Sequence, residues 1–156
     1  MIILAIGFAA CTNKGNSNPQ TNRVEKTVNK PGNNMNNLIS IVEIPTTDFS
    51  RAVEFYQTIL GLSIEQVDMD GTKMGVLPSE GETVNVVLVK GHDYKPTTDG
   101  AVVYINAGKN LQPTLDKIET SGGKVIVPKT EISPEMGYFA LFMDTEGNKL
   151  GLHSKD

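Results

Sequence analysis

The chain has 156 residues, and the stretch after about residue 35 is long enough for one compact domain but not for two independent cores. A formal net charge of -4 gives no basic surface, and aromatic residues at 6% with no Trp give no base-stacking platform, so nucleic acid is excluded as a partner. A single cysteine excludes an intramolecular disulfide and a thiolate metal site.

The chain opens on an apolar run, Met1 to Ala10, that ends at Cys11. The run is too short to span a bilayer as a mature helix, and small residues precede the cysteine, as in the apolar region of a secretory signal. Gly7, Phe8, Ala9, Ala10 and Cys11 resemble a bacterial lipobox. That resemblance implies a signal peptide over 1–11, lipidation at Cys11 and a lipid-anchored protein of the cell envelope. A start at Met35 is the alternative, and it makes the protein cytoplasmic. Residues 12–37 are rich in Asn, Lys, Thr, Gly and Pro, with almost no apolar residues, which reads as a flexible linker. The domain then occupies 38–156.

The domain begins with an apolar strand, Ile39 to Ile44, followed by Thr46, Thr47 and Asp48, whose side chains suit a helix start. Ala52, Val53, Tyr56, Ile59 and Leu60 recur at helical spacing within Phe49 to Leu60, and Gly61 suits the left-handed residue that ends a helix. Three short strands are expected over Ser63 to Val67, Met74 to Leu77 and Val84 to Val89, with a hairpin turn at Asp70 and Gly71.

The same order of signals then recurs. A strand covers Ala101 to Ile105, Asn110 offers a cap, Leu111, Leu115 and Ile118 form a helical apolar face, and Gly122 and Gly123 close the helix. Pro113 falls in the first helical turn, where proline is tolerated. Strands follow over Val125 to Val127, Tyr138 to Met143 and Lys149 to His153, with Pro128 to Gly137 expected as a long loop at the mouth of a pocket. Ile41 to Gly61 matches Val102 to Gly122 without a gap. The expected fold is therefore α+β: two βαβββ modules side by side, forming a curved mixed sheet around a pocket.

Asp48, Phe49, Arg51, Ala52, Phe55 and Tyr56, followed by Leu60, Gly61 and Leu62, resemble the first-helix signature of the vicinal oxygen chelate superfamily. This superfamily includes glyoxalase I, extradiol dioxygenases, and fosfomycin- and bleomycin-resistance proteins. The segment from Gly137 to Asn148, with Asp144 and Gly147, resembles its closing hairpin, with Thr145 in place of the usual proline. The resemblance covers Leu38 to His153 and implies dimers. In catalytic members it also implies a divalent metal held by one side chain from each of four strands, commonly His, Glu, His and Glu. Carried onto this chain, those positions fall on Ile41, within Val86 to Val89, within Ala101 to Val103, and on Gly151. None of these residues is a metal donor. No cofactor is expected, with a divalent metal left open.

Polar residues near these positions are the candidate site. Glu43 lies two residues beyond Ile41, on the same strand face, where it could bind a cationic or hydroxylated ligand or serve as a general base. His153 stands in the same relation to Gly151, while Tyr104 and Tyr138 could offer hydroxyls or ring faces. Met136, in the expected loop, could cover the pocket as an adaptable contact. His92 and Tyr94 sit in the connection between the copies, and Glu43, His92 and His153 together would make a three-donor metal site. Met69, Met74 and Met143 read as packing. The leading functional expectation is a metal-independent pocket for a small organic molecule. Its alternatives are a lyase or isomerase of glyoxalase type using Glu43 as base, and a lipid-tethered interaction module of the envelope.

Overall fold

The computed structural model describes residues 37–81 and 83–156. The expected signal peptide with Cys11, and the expected linker apart from Asn37, lie outside the described residues. Among the described residues no helix is long and apolar enough to cross a membrane.

The element order is β1 (Ile41–Pro45), α1 (Phe49–Leu60), β2 (Glu65–Met69), β3 (Thr72–Val76), β4 (Asn85–Lys90), β5 (Tyr104–Asn106), α2 (Gln112–Thr120), β6 (Lys124–Ser133), β7 (Gly137–Met143) and β8 (Lys149–Ser154). This is βαβββ twice. Each copy forms its own four-stranded sheet, ordered β1-β4-β3-β2 and β5-β8-β7-β6, so the two sheets repeat one topology. In both, the first strand runs parallel to the last and the remaining pairs are antiparallel. The strand before α2 is shorter than the sequence pattern indicated. Only Tyr104–Asn106 pairs as β5, while Val103 contributes its carbonyl to the Gly151 N–H at 2.9 Å.

Local chemistry sets the helix ends. Asp48 caps α1 by accepting the Arg51 N–H at 3.1 Å, and Gly61, at φ 67°, takes the left-handed conformation and donates its N–H to the Gln57 carbonyl. Asn110 caps the start of α2 by accepting the Gln112 N–H at 3.0 Å. Asp70 and Gly71 both have positive φ, 51° and 85°, between the paired residues Met69 and Thr72, as a two-residue hairpin requires.

The segment from Pro128 to Gly137 is not the expected loop. β6 continues to Ser133, leaving Pro134, Glu135 and Met136 as the turn into β7. Pro128 is accommodated because β6 is the edge strand of its sheet and its register with β7 slips between Val127 and Thr130. Met69 also departs from the packing role, being 60% exposed.

One core joins the two copies. Phe49, Ala52, Val53, Phe55, Tyr56 and Ile59 of α1 and Leu115 and Ile118 of α2 pack with Ile44 and Leu88 of the first sheet and Ala140, Phe142, Leu150 and Leu152 of the second. Phe55 lies 6.3 Å from Phe142, between ring centroids, so α1 packs against the second sheet as well as its own.

A polar clasp seals this junction. The buried hydroxyl of Tyr56 donates to Asp144 Oδ2 at 2.8 Å, and Asn148 Nδ2 donates both to that oxygen and to the Pro45 carbonyl. Burial, together with the Asp144 charge, raises the Tyr56 pKa well above its ordinary value. The Glu146 side chain is fully enclosed at the start of α1. It accepts from Thr47 N and Oγ1, from Asp48 N, and from Arg51 Nε at 2.9 Å. Burial acts to raise its pKa, and the donors from Arg51, Asp48 and Thr47 outweigh that and hold it at about 2. The β7–β8 turn of one copy thus serves as a second cap for the helix of the other.

Candidate functional site

Strand alternation defines the face on which a site can form. Ile44 and Leu88 in the first sheet, and Leu150, Leu152, Ala140 and Phe142 in the second, face the helices. Their neighbours Ile41, Glu43, Val87 and Val89, and Tyr104, Phe139, Gly151 and His153, therefore occupy the opposite face. This outward face is rich in apolar surface: Ile41 is 58% exposed and Tyr104 48%.

The copies present matched positions here. Glu43 pairs with Val87 across β1 and β4, and Tyr104 pairs with Gly151 across β5 and β8, so Tyr104 is the repeat counterpart of Glu43. The Tyr104 ring lies directly over Gly151. A Cβ built at Gly151 would come within 2.2 Å of Tyr104 Cδ1, so no side chain fits beneath the ring as it stands. Tyr104 also meets Phe139 edge to face, with centroids 6.4 Å apart.

The four positions of the metal set do not fit a metal. Ile41 and Gly151 have no side-chain donor atom, and the side chains of Val86–Val89 and of Ala101–Val103 are all aliphatic. The space where a fourth ligand would extend is taken by the Tyr104 ring. Among the described residues no group of three or more His, Cys, Asp or Glu side chains could hold a metal ion. The combination of Glu43, His92 and His153 is accordingly not assembled.

Each remaining candidate has a definite place. Glu43 is exposed, accepts from Tyr94 Oη at 3.0 Å and lines a depression of about 250 Å³ with Thr97, Asp99, Asn148 and Lys149. The hydrogen bond to Glu43, with some burial and the Glu43 charge, raises the Tyr94 pKa. His92 points away, 97% exposed beside Asp93. Tyr104 and His153 line a second depression of about 420 Å³ with Asn106, Gly108 and Lys155. Met136 is exposed and its carbonyl lies 2.7 Å from His153 Nε2, so it reaches this region through its backbone. Tyr138 lies on the other face of β7, packed against the core with Lys129 Nζ 4.5 Å from its ring centroid. It therefore does not share a surface with Tyr104 and His153.

Sequence reasoning missed three residues of this face. Asn106 follows Tyr104 by two, so strand alternation could have found it. Lys155 likewise follows His153 by two, while Phe139 enters through the pairing of β7 with β8, which no local pattern announces.

The model of the Glyoxalase/Bleomycin resistance protein/Dioxygenase superfamily matches residues 38–152. A glyoxylase-like domain-containing protein from Didymella fabae is 32% identical over 114 residues, which cover 70% of this chain and 88% of that protein. Among solved structures, a glyoxalase/bleomycin resistance protein from Albidiferax ferrireducens superposes with a TM-score of 0.61 at 15% identity, over 77% of this chain and 100% of that one. A glyoxalase I mutant from Zea mays superposes with a TM-score of 0.59 at 18% identity over 74% of this chain; the match spans only 46% of the maize chain, about half its length. With the doubled βαβββ topology and the family match over most of its length, this chain belongs to the glyoxalase/bleomycin resistance/dioxygenase, or vicinal oxygen chelate, superfamily.

Proposed function

We propose that this protein binds a small organic molecule without a metal, on the sheet face turned away from the helices. The observation that carries this reading is the Tyr104 ring seated over Gly151: an aromatic surface stands where the resemblance puts a metal-binding carboxylate. Ligand sites of this kind combine apolar walls with a few polar groups. The outward face has that character, with Ile41, Tyr104 and Phe139 beside Glu43, Asn106 and His153. Turnover by Glu43 as general base has less support, because that role needs desolvation and Glu43 is exposed and bonded to Tyr94.

The test uses the full chain, incubated separately with nickel, zinc, manganese and iron(II), desalted and assayed for metal. A parallel thermal-shift screen of small organic compounds is run with and without chelator. The expected result is no stoichiometric metal and a saturable stabilisation that chelator leaves intact. One metal per chain, or ligand stabilisation abolished by chelator, would overturn the reading.

A further inference from the structure

Resting on that reading, we infer that the second copy carries a subsite for a planar aromatic anion, an aromatic carboxylate being the simplest case. Tyr104 is its stacking surface, and Lys155 and Asn106 are its donors.

The first observation is that Tyr104 is both exposed and held. Nearly half of the residue is accessible, yet its ring rests on the Gly151 backbone and is braced at its edge by Phe139. A ring already fixed in place loses little freedom when a second ring stacks on it, so more of the stacking energy remains as affinity. The depression beside it, about 420 Å³, lies within the usual range for small-molecule sites.

The second observation is the sign of the lining. Tyr104, Asn106, Gly108, His153 and Lys155 line the depression, and none is acidic. The Lys155 ammonium donates to the backbone carbonyl of Glu135, and among the described residues it has no carboxylate within ion-pair distance. Asn106 Oδ1 accepts from Gly108 N at 2.9 Å, which leaves the Asn106 amide hydrogens to donate outward. His153 is bound through Nε2 to the Met136 carbonyl, a contact that places a proton on Nε2. Asp156, the nearest acidic residue in sequence, does not line the depression, and its backbone N–H is tied to the Lys109 carbonyl. A cationic ligand would meet an ammonium with no compensating carboxylate. An anionic one would meet an ammonium and an amide.

The experiment titrates the full chain with 1-naphthoate and with uncharged 1-naphthalenemethanol, following binding by calorimetry. Naphthoate is expected to bind at least tenfold more tightly than the alcohol. Lys155→Gln is expected to weaken naphthoate at least tenfold and so erase that difference, and Tyr104→Leu to weaken both ligands at least tenfold. Lys155 is a surface residue, so its variant remains informative if Tyr104→Leu impairs folding. Equal affinity for the two probes, or discrimination that survives Lys155→Gln, would overturn the anion subsite while leaving the broader binding reading in place. No binding of either probe overturns this subsite alone, because the chelator-controlled compound screen decides the broader reading separately.

Discussion

Replacing Glu146 by Gln tests whether the clasp between the copies holds the domain together. Gln keeps a carbonyl oxygen that can accept from Thr47 and Asp48, but it loses the charge that faces Arg51 at 2.9 Å. The folded-state pKa of Glu146, about 2 against an ordinary 4.5, corresponds to at most ~3–4 kcal/mol of stability. Arg51 is about half exposed, so solvent screens the ion pair, and about 2 kcal/mol is the expected cost. A depressed carboxylate pKa stabilises the fold above the unfolded-state value, and that stability is lost as pH falls through the folded-state value. The cost should therefore be full near neutral pH, shrink as pH falls below about 4.5, and vanish near pH 2. Urea unfolding of both proteins across this range measures it. With slopes of ~1–3 kcal/mol per molar, the neutral-pH midpoint should drop by roughly 1 M. A neutral-pH difference below about 0.5 kcal/mol, or a gap that stays constant down to pH 2, would refute the electrostatic account of the clasp.

Three further outcomes follow from the same geometry. Tyr56→Phe removes the 2.8 Å bond to Asp144 but leaves Asn148 on the same oxygen, so chemical denaturation should show a loss of about 1–2 kcal/mol. Gly137→Ala should be far more damaging. Gly137 has φ 78°, and an added Cβ would sit 2.3 Å from the Ser154 carbonyl oxygen, so a large fall in Tm or loss of soluble protein is expected. Gly151→Ala should cost ~1–3 kcal/mol by driving a methyl into the Tyr104 ring, and a double-mutant cycle with Tyr104→Ala should recover most of that loss.

Much of the fold is legible from local chemistry. The buried stripe of α1, its Asp48 cap and its Gly61 stop, and the Asp70–Gly71 hairpin each depend on residues within a few positions of one another. The continuation of β6 beyond Val127 is hidden because Pro128 reads as a strand breaker, and only its place at the sheet edge makes that proline harmless. Residue type could not separate Tyr104 from Tyr138. The two fall on opposite faces because Tyr138 shares its strand parity with Ala140 and Phe142, which point into the core. Glu146 shows the limit most clearly: its partners lie 95 to 99 residues away, and nothing in the local pattern of Thr145, Glu146 and Gly147 points to them.

The repeat itself explains why the site resists reading from one copy alone. Matched backbone seats, one on the first strand and one on the last, hold Glu43 with Val87 in one copy and Tyr104 with Gly151 in the other. The first pair presents a carboxylate, bonded to Tyr94, above a flat aliphatic neighbour. The second omits a side chain so that an aromatic ring can lie down in the vacated space. Backbone pairing is common to both, so the fold dictates where these side chains stand. The side chains then make the two approaches chemically unlike, one acidic and one aromatic with a cationic rim. A ligand that spans both would need opposite chemistry at its two ends, whereas one confined to the second copy needs only a flat ring and a negative charge.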